Sequence, residues 1–178
     1  MSVFITVGTT EFDALIEVCD SNRDSFVEQL IRLGIKKITL QIGRGLKEPK
    51  QLEECCSMHQ IEFHCFRFKA NLDQEMDDAD IIISHCGAGS ILEAVSRKKT
   101  LLVIINESLQ DNHQIELSRA IVAGGYAISA TPEKLLSSLT TLQQQEQWSQ
   151  RRLDDFKTFP IHDSNLFPKI VESLFDFI

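Results

Sequence analysis

The sequence predicts an α/β protein built on a doubly wound parallel sheet, and three observations carry that prediction. Short β-branched runs alternate with helical patterns from the first residues onward. Two of those runs, Asp80-Ile-Ile-Ile and Thr100-Leu-Leu-Val-Ile-Ile, are continuously apolar, as strands covered on both faces are. A glycine loop, His85-Cys86-Gly87-Ala88-Gly89, then leads straight from one such run into an amphipathic helix. Alternation of this kind, with right-handed crossovers, puts helices on both faces of one sheet.

Taken in order, Val3–Val7, Lys37–Ile42, Ile61–Phe66, Asp80–Ser84, Thr100–Ile105 and Tyr126–Ser129 read as strands. Ser25–Leu33, Gln51–Met58, Asn71–Asp78, Ser90–Arg97, Asn112–Ala123 and Pro132–Leu142 read as the helices between them. After Leu142 the pattern changes: Gln143–Gln147 is a polar helical start, with Trp148 and Phe156 available as anchors. The tail Leu166–Ile178 places Ile170, Val171, Leu174, Phe175 and Ile178 at helical spacing. The expected organisation is one domain over residues 1–142 and a helical tail over 143–178, packed on that domain or on a partner.

Composition narrows the function classes. A net charge of −8 over 178 residues argues against a non-specific nucleic-acid binder, which needs a basic surface. No apolar run approaches the ~20 residues that span a bilayer, and Met1–Gly8 lacks the basic segment and long apolar core of a signal peptide. The five cysteines are odd in number and form no Cys-x-x-Cys pair, which fits a reduced, cytoplasmic setting without a zinc site. Asp77-Asp78-Ala79-Asp80 joins a helix end to a strand start; it reads as a solvated charge cluster, with no metal implied.

In doubly wound sheets ligands sit outside the carboxyl ends of the strands, so the loops there hold the candidates. Gly8-Thr9-Thr10 offers a sharp turn and two hydroxyls, for a phosphate, a sugar or simply a helix cap. Arg44, between Gly43 and Gly45, either reaches an anion or solvates a loop. Phe66-Arg67-Phe68-Lys69 either lines a flat base pocket or packs in the core. Gly87-Ala88-Gly89 ahead of a helix start gathers bare N–H groups and a positive dipole end, which suits a phosphate. Ser90-x-x-Glu93 also reads as a capping box, although this leaves His85 and the two glycines unexplained. The stretch is not a dinucleotide fingerprint, because Leu92 occupies the third glycine position and the motif follows a late strand. After the fifth strand, Asn106–Gln114 is long and polar; Asp111 with Gln114 forms a second possible capping box, whereas Asn112, His113 and Gln114 carry groups that hydrogen-bond sugar hydroxyls. Together these loops point to a nucleotide-sugar site, with the helix start on the diphosphate, Glu93 on the ribose and Asn112 to Gln114 on the sugar.

Four stretches carry a family resemblance: Val7-Gly8-Thr9-Thr10-x-Phe12-Asp13, Leu40-Gln41-Ile42-Gly43-Arg44-Gly45, Ile83-Ser84-His85-x-Gly87-Ala88-Gly89-Ser90-x-Leu92-Glu93, and Val103–Glu107 continuing through Asn112-His113-Gln114-x-Glu116-Leu117. The sequence resembles the small donor-binding subunits of the eukaryotic UDP-GlcNAc transferases of asparagine-linked glycosylation. These are GT-B glycosyltransferases with a Rossmann-like family 28 C-terminal domain. The likeness runs from Val3 to about Gly125 and loosens after Thr131; Cys86 stands where a small residue such as Ala is expected.

The resemblance implies inverting transfer of GlcNAc from UDP-GlcNAc to GlcNAc-diphospho-dolichol, on the cytosolic face of the endoplasmic reticulum. It further implies a membrane-anchored acceptor-binding partner (subunit fourteen of the pathway). By position it assigns Gly87, Ala88, Gly89 and Ser90 to the diphosphate, Glu93 to the ribose, Asn112, His113 and Gln114 to the GlcNAc, and the segment at Phe68-Lys69 to the uracil. Gly8, Thr9 and Thr10 would border the cleft. Arg44 and Lys69 are candidate counter-charges, and His85 and His113 candidate bases, with the working base expected from the partner chain. No cofactor and no metal are called for. Two rival readings share the plan: a bacterial-type exopolysaccharide half-transferase, and a non-catalytic UDP-sugar-binding module.

Overall fold

The computed structural model describes residues 1–106 and 113–144. Among them, β1 (Ser2–Thr6), β2 (Lys37–Gln41), β3 (Glu62–Phe66), β4 (Ile81–His85), β5 (Thr100–Ile104) and β6 (Ile128–Ala130) form one parallel sheet in the order β3-β2-β1-β4-β5-β6. The helices are α1 (Asp13–Ser21), α2 (Arg23–Arg32), α3 (Lys50–Met58), α4 (Asp73–Asp78), α5 (Ala88–Ser96), α6 (His113–Ala123) and, after a 3-10 turn over Pro132–Lys134, α7 (Leu135–Gln144). The doubly wound parallel sheet is the expected one.

Alternation along the strands sorts the core into two layers. Val3, Ile5, Ile38 and Leu40 face one side, where Leu15 of α1, Phe26 of α2, Leu52 of α3 and Leu139 of α7 cover them. Phe4, Ile82, Leu101 and Val103 face the other, against Met76 of α4, Ile91 of α5 and Ile121 of α6. The continuously apolar runs in β4 and β5 are the strands buried on both faces, with Ile81, Ile82, Ile83 and Leu101 to Ile104 all shielded from solvent.

Apart from the start of α5, two elements differ from the sequence reading. Helix α1 is additional: its apolar set Leu15, Ile16 and Cys19 is short, and the polar Asp20–Asp24 stretch behind it masks a helix-to-helix junction at Asn22. The last strand starts at Ile128 and not at Tyr126. Gly124 and Gly125 close α6 there, with Gly125 at φ 75° and the Tyr126 N–H donating back to Ile121 O at 3.0 Å, so Tyr126 still belongs to the helix cap. The expected 142/143 boundary falls inside α7, where Gln143 Nε2 donates to Gln29 O at 2.9 Å. Trp148, Phe156 and the Leu166–Ile178 stretch lie outside the described residues.

Candidate functional site

The strand order reverses direction between β1 and β4, whose ends pair Thr6 with Ser84. Their following loops therefore diverge and open a crevice at the carboxyl edge, where ligands bind in sheets of this type. The chain turns at Gly8, with φ 63°, and at Gly87, the residue that caps α5. The His85 imidazole lies between these two glycines. A Cβ built on Gly8 would stand 2.6 Å from His85 Cε1, and one on Gly87 would overlap His85 Nε2. Both positions hold glycine because the ring occupies the space a side chain would need. The ring is buried, and Nδ1 has no hydrogen-bond partner among the described residues. Burial lowers the His85 pKa below the usual imidazole value, against an opposing pull from the Thr6 backbone, and so favours the neutral ring.

Helix α5 corrects the expected capping box. The helix begins at Ala88 behind Gly87, two residues earlier than Ser90, and among the described residues no side chain caps it. The first intrahelical bond runs from Ile91 N–H to Gly87 O at 3.0 Å. The N–H groups of Ala88, Gly89 and Ser90 precede it and carry the positive end of the helix dipole. Beyond its own helix and chain neighbours, no atom of the described residues lies within 4 Å of a Cβ built on Gly89, so among them its backbone is open to close approach. Ile91, Ala94 and Val95 are buried as expected, whereas Glu93 is exposed.

The loops after β1, β2 and β3 are knit together. The Thr10 hydroxyl donates to Val7 O at 2.8 Å and serves the turn, while the α1 cap position is Phe12, so neither Thr9 nor Thr10 caps a helix. Thr10 O accepts from Arg44 N–H at 3.0 Å. Gly43 packs so closely on this loop that a Cβ there would overlap Thr10 O, and its φ is 56°. Asp13 accepts from the Leu46 and Lys47 amides at 3.1 and 3.2 Å. Arg67 Nη1 donates to Gly45 O at 2.7 Å and to Gly43 O at 3.3 Å. The Arg44 side chain is exposed. Phe66 stacks on Phe4 with centroids 6.4 Å apart, while Phe68 is 52% exposed at the rim. The Lys69 ammonium sits over the Phe66 ring at 4.8 Å and pairs with Glu75, so it faces α4.

The start of α6 meets the glycine loop directly. The Cys86 thiol donates to Gln114 O at 3.0 Å, and the Asn106 N–H donates to Gln114 Oε1 at 3.4 Å. Burial pushes the Cys86 thiol up to about 12, so it is a hydrogen-bonding thiol with no nucleophilic character at neutral pH. His113 is described as the first residue of α6 by its backbone alone, and Asn112 and Asp111 lie outside the described residues.

Asp77-Asp78-Ala79-Asp80 is structural, not merely solvated. Asp80 Oδ2 accepts from Ser2 N–H at 2.8 Å, and Asp77 Oδ1 accepts from Arg97 Nε at 2.9 Å. Among the described residues no three His, Cys, Asp or Glu side chains converge as a metal site would require. A cavity of about 330 Å³ lies apart from the crevice, on the sheet face between β1–β3 and α4, with Phe4, Thr39, His64 and Gln74 in its wall.

Sequence reasoning missed Thr6 and Gln41 as parts of this edge and gave Arg67 no role of its own. A signal was there for Thr6, a polar residue closing the apolar run Val3–Ile5, whereas Gln41 continues the alternating Lys37-Ile38-Thr39-Leu40 and is set apart only by its burial.

Comparison with known proteins decides the family. The model described as Glycosyltransferase family 28 C-terminal domain matches residues 2–164. The chain belongs to glycosyltransferase family 28. Among its relatives is the human UDP-N-acetylglucosamine transferase subunit ALG13, 41% identical over 129 residues, or 72% of this chain and 11% of that one. The Yarrowia lipolytica protein of the same name is 28% identical over 100% of this chain and 86% of its own. The chain thus spans about a tenth of the mammalian family 28 relatives it matches. The solution structure of ALG13 shares the fold with a TM-score of 0.65 at 24% identity, covering 98% of this chain and 96% of that one. The Acinetobacter baumannii MurG crystal structure matches with 0.55 at 20%, over 80% of this chain and 42% of MurG.

Proposed function

We propose that this chain is the donor-binding half of an N-acetylglucosaminyltransferase. It takes UDP-GlcNAc and, with a membrane-anchored acceptor-binding subunit, transfers GlcNAc with inversion to a lipid-diphosphate-GlcNAc acceptor such as GlcNAc-diphospho-dolichol. One observation carries the reading. The uncapped start of α5, with Gly89 open beside it, faces the switch-point crevice, and Gln114 of the sugar loop is held against it through Cys86. The relatives, each named a UDP-N-acetylglucosamine transferase subunit, support this donor and an enzyme of more than one subunit.

In this reading the Ala88, Gly89 and Ser90 amides hold the departing diphosphate, stabilising the charge that develops as the glycosidic bond breaks. Glu93 takes the ribose hydroxyls, and the exposed Phe68 ring stacks on the uracil. Asn112, His113 and Gln114 orient the sugar. In this reading the helix-terminal amides take the part of a cation on the phosphates, and the reaction needs no metal. Burial favours the neutral form of His85, and its ring braces Gly8 and Gly87; it acts as a wedge, and the acceptor hydroxyl is deprotonated by a group of the partner chain. Among the described residues no helix is long and apolar enough to cross a membrane, which suits recruitment to the cytosolic face of the endoplasmic reticulum by that partner.

The test is co-expression with the membrane-anchored partner followed by transfer from UDP-GlcNAc to a lipid-diphosphate-GlcNAc acceptor, with and without a chelator. Transfer that requires both chains and survives chelation supports the reading. Transfer by this chain alone would refute the half-enzyme assignment, and loss on chelation would refute the metal-free one.

A further inference from the structure

A chain of hydrogen bonds crosses three strands just beneath the crevice. The Gly8 N–H donates to Thr6 Oγ1 at 2.9 Å, and the Thr6 hydroxyl donates to Gln41 Oε1 at 2.5 Å. Gln41 Nε2 donates to Arg67 O at 3.3 Å. Arg67 Nη1 then reaches back to the carbonyls of Gly45 and Gly43. The direction of the chain is fixed by its two ends. The Arg67 carbonyl can only accept, so the Gln41 nitrogen faces it and the Gln41 oxygen faces Thr6. The Gly8 amide can only donate, so the Thr6 oxygen accepts there and passes its own proton to Gln41. Thr6 and Gln41 are 0% and 2% exposed, so these bonds have no water to replace them.

We propose that Gln41 is a positioning residue that ties the nucleobase loop to the phosphate-side loop. It touches no reacting atom. Its amide holds the backbone at Arg67, one residue before the exposed Phe68 ring, and through Thr6 it holds the amide of Gly8, which packs against the His85 ring beside the start of α5. The assignment rests on the uracil and diphosphate roles proposed above. A base seated on Phe68 and a phosphate at α5 are then read at a fixed separation, set by one buried glutamine spanning β1 and β3.

The full chain tests this with Gln41→Met, which keeps the side-chain volume and removes the amide, and Thr6→Val, which removes the hydroxyl at nearly constant shape. UDP and inorganic pyrophosphate are titrated into each, and amide exchange is followed without ligand over residues 7–10 and 66–70. Wild type is expected to prefer UDP over pyrophosphate, because only UDP engages both loops. Gln41→Met is expected to reduce that preference about tenfold while both still bind. Exchange should quicken in both segments, for Thr6→Val as for Gln41→Met. Unchanged UDP preference in a folded Gln41→Met protein, or quickened exchange confined to one segment, would overturn the proposal. Absence of UDP binding in wild type would remove the donor-site reading instead, and the exchange data would still decide whether Gln41 couples the two loops.

Discussion

The imidazole of His85 occupies the space that a side chain at Gly8 would fill: a Cβ there would approach Cε1 to 2.6 Å. One ring thus dictates glycine in two loops that follow different strands, since Gly87 meets the same imidazole from the other side. Gly8 also stands at φ 63°, which a side chain disfavours independently. Gly8→Ala is expected to destabilise the fold by about 1–3 kcal/mol, and Gly8→Ala with His85→Ala by less than the sum of the two single changes. Urea unfolding of the four proteins measures the coupling.

Gly89 behaves oppositely. Among the described residues its Cβ would meet no atom beyond its own helix within 4 Å, and it lies in the first turn of α5. Gly89→Ala is expected to leave stability unchanged or raise it by up to ~1 kcal/mol, because alanine favours the helix. The same methyl group stands where a phosphate must approach the backbone, so UDP affinity should fall. Thermal unfolding and calorimetric titration of one preparation give both numbers.

Glu93 separates binding from capping. Among the described residues no side chain caps α5, and Glu93 is exposed with its carboxylate 4.0 Å from Arg97. Glu93→Gln is expected to shift stability by no more than ~0.5 kcal/mol, as exposed ion pairs contribute little. It should weaken UDP binding while leaving inorganic pyrophosphate unaffected, because the loss is at the ribose.

The pH dependence of stability follows from His85. Its folded pKa lies below the ordinary 6.5, because burial disfavours the charged ring. Between the lowered value and 6.5 the unfolded chain binds a proton that the folded chain refuses, so stability falls as pH drops through 6.5 and this contribution is absent above it. His85→Gln should flatten that part of the profile, as read from denaturant midpoints at successive pH values.

Much of this was legible in the residues. The uninterrupted apolar runs at Ile81–Ile83 and Leu101–Ile104 announced buried parallel strands, and the glycine stretch at Gly87–Gly89 announced the turn from β4 into the next helix. Other parts depended on three-dimensional context. Ser90 and Glu93 have the spacing of a capping box, yet the helix starts two residues earlier because Gly87, freed of a side chain by the His85 ring, takes the cap position. Helix α1 was hidden by its brevity, for only packing against α3 and the sheet stabilises so short an apolar set. Thr6 and Gln41 gain their meaning from the pairing of β1 with β2, which brings together residues 35 positions apart.

The central claim is that the Gly8–Gly87 crevice holds a uridine nucleotide sugar. Calorimetric titration of the full chain with UDP-GlcNAc, with UDP and NAD as comparisons, tests it most directly. The account predicts saturable one-to-one binding of UDP-GlcNAc and UDP and none of NAD. Binding of NAD as tight as that of UDP, or no binding of UDP-GlcNAc, would contradict it.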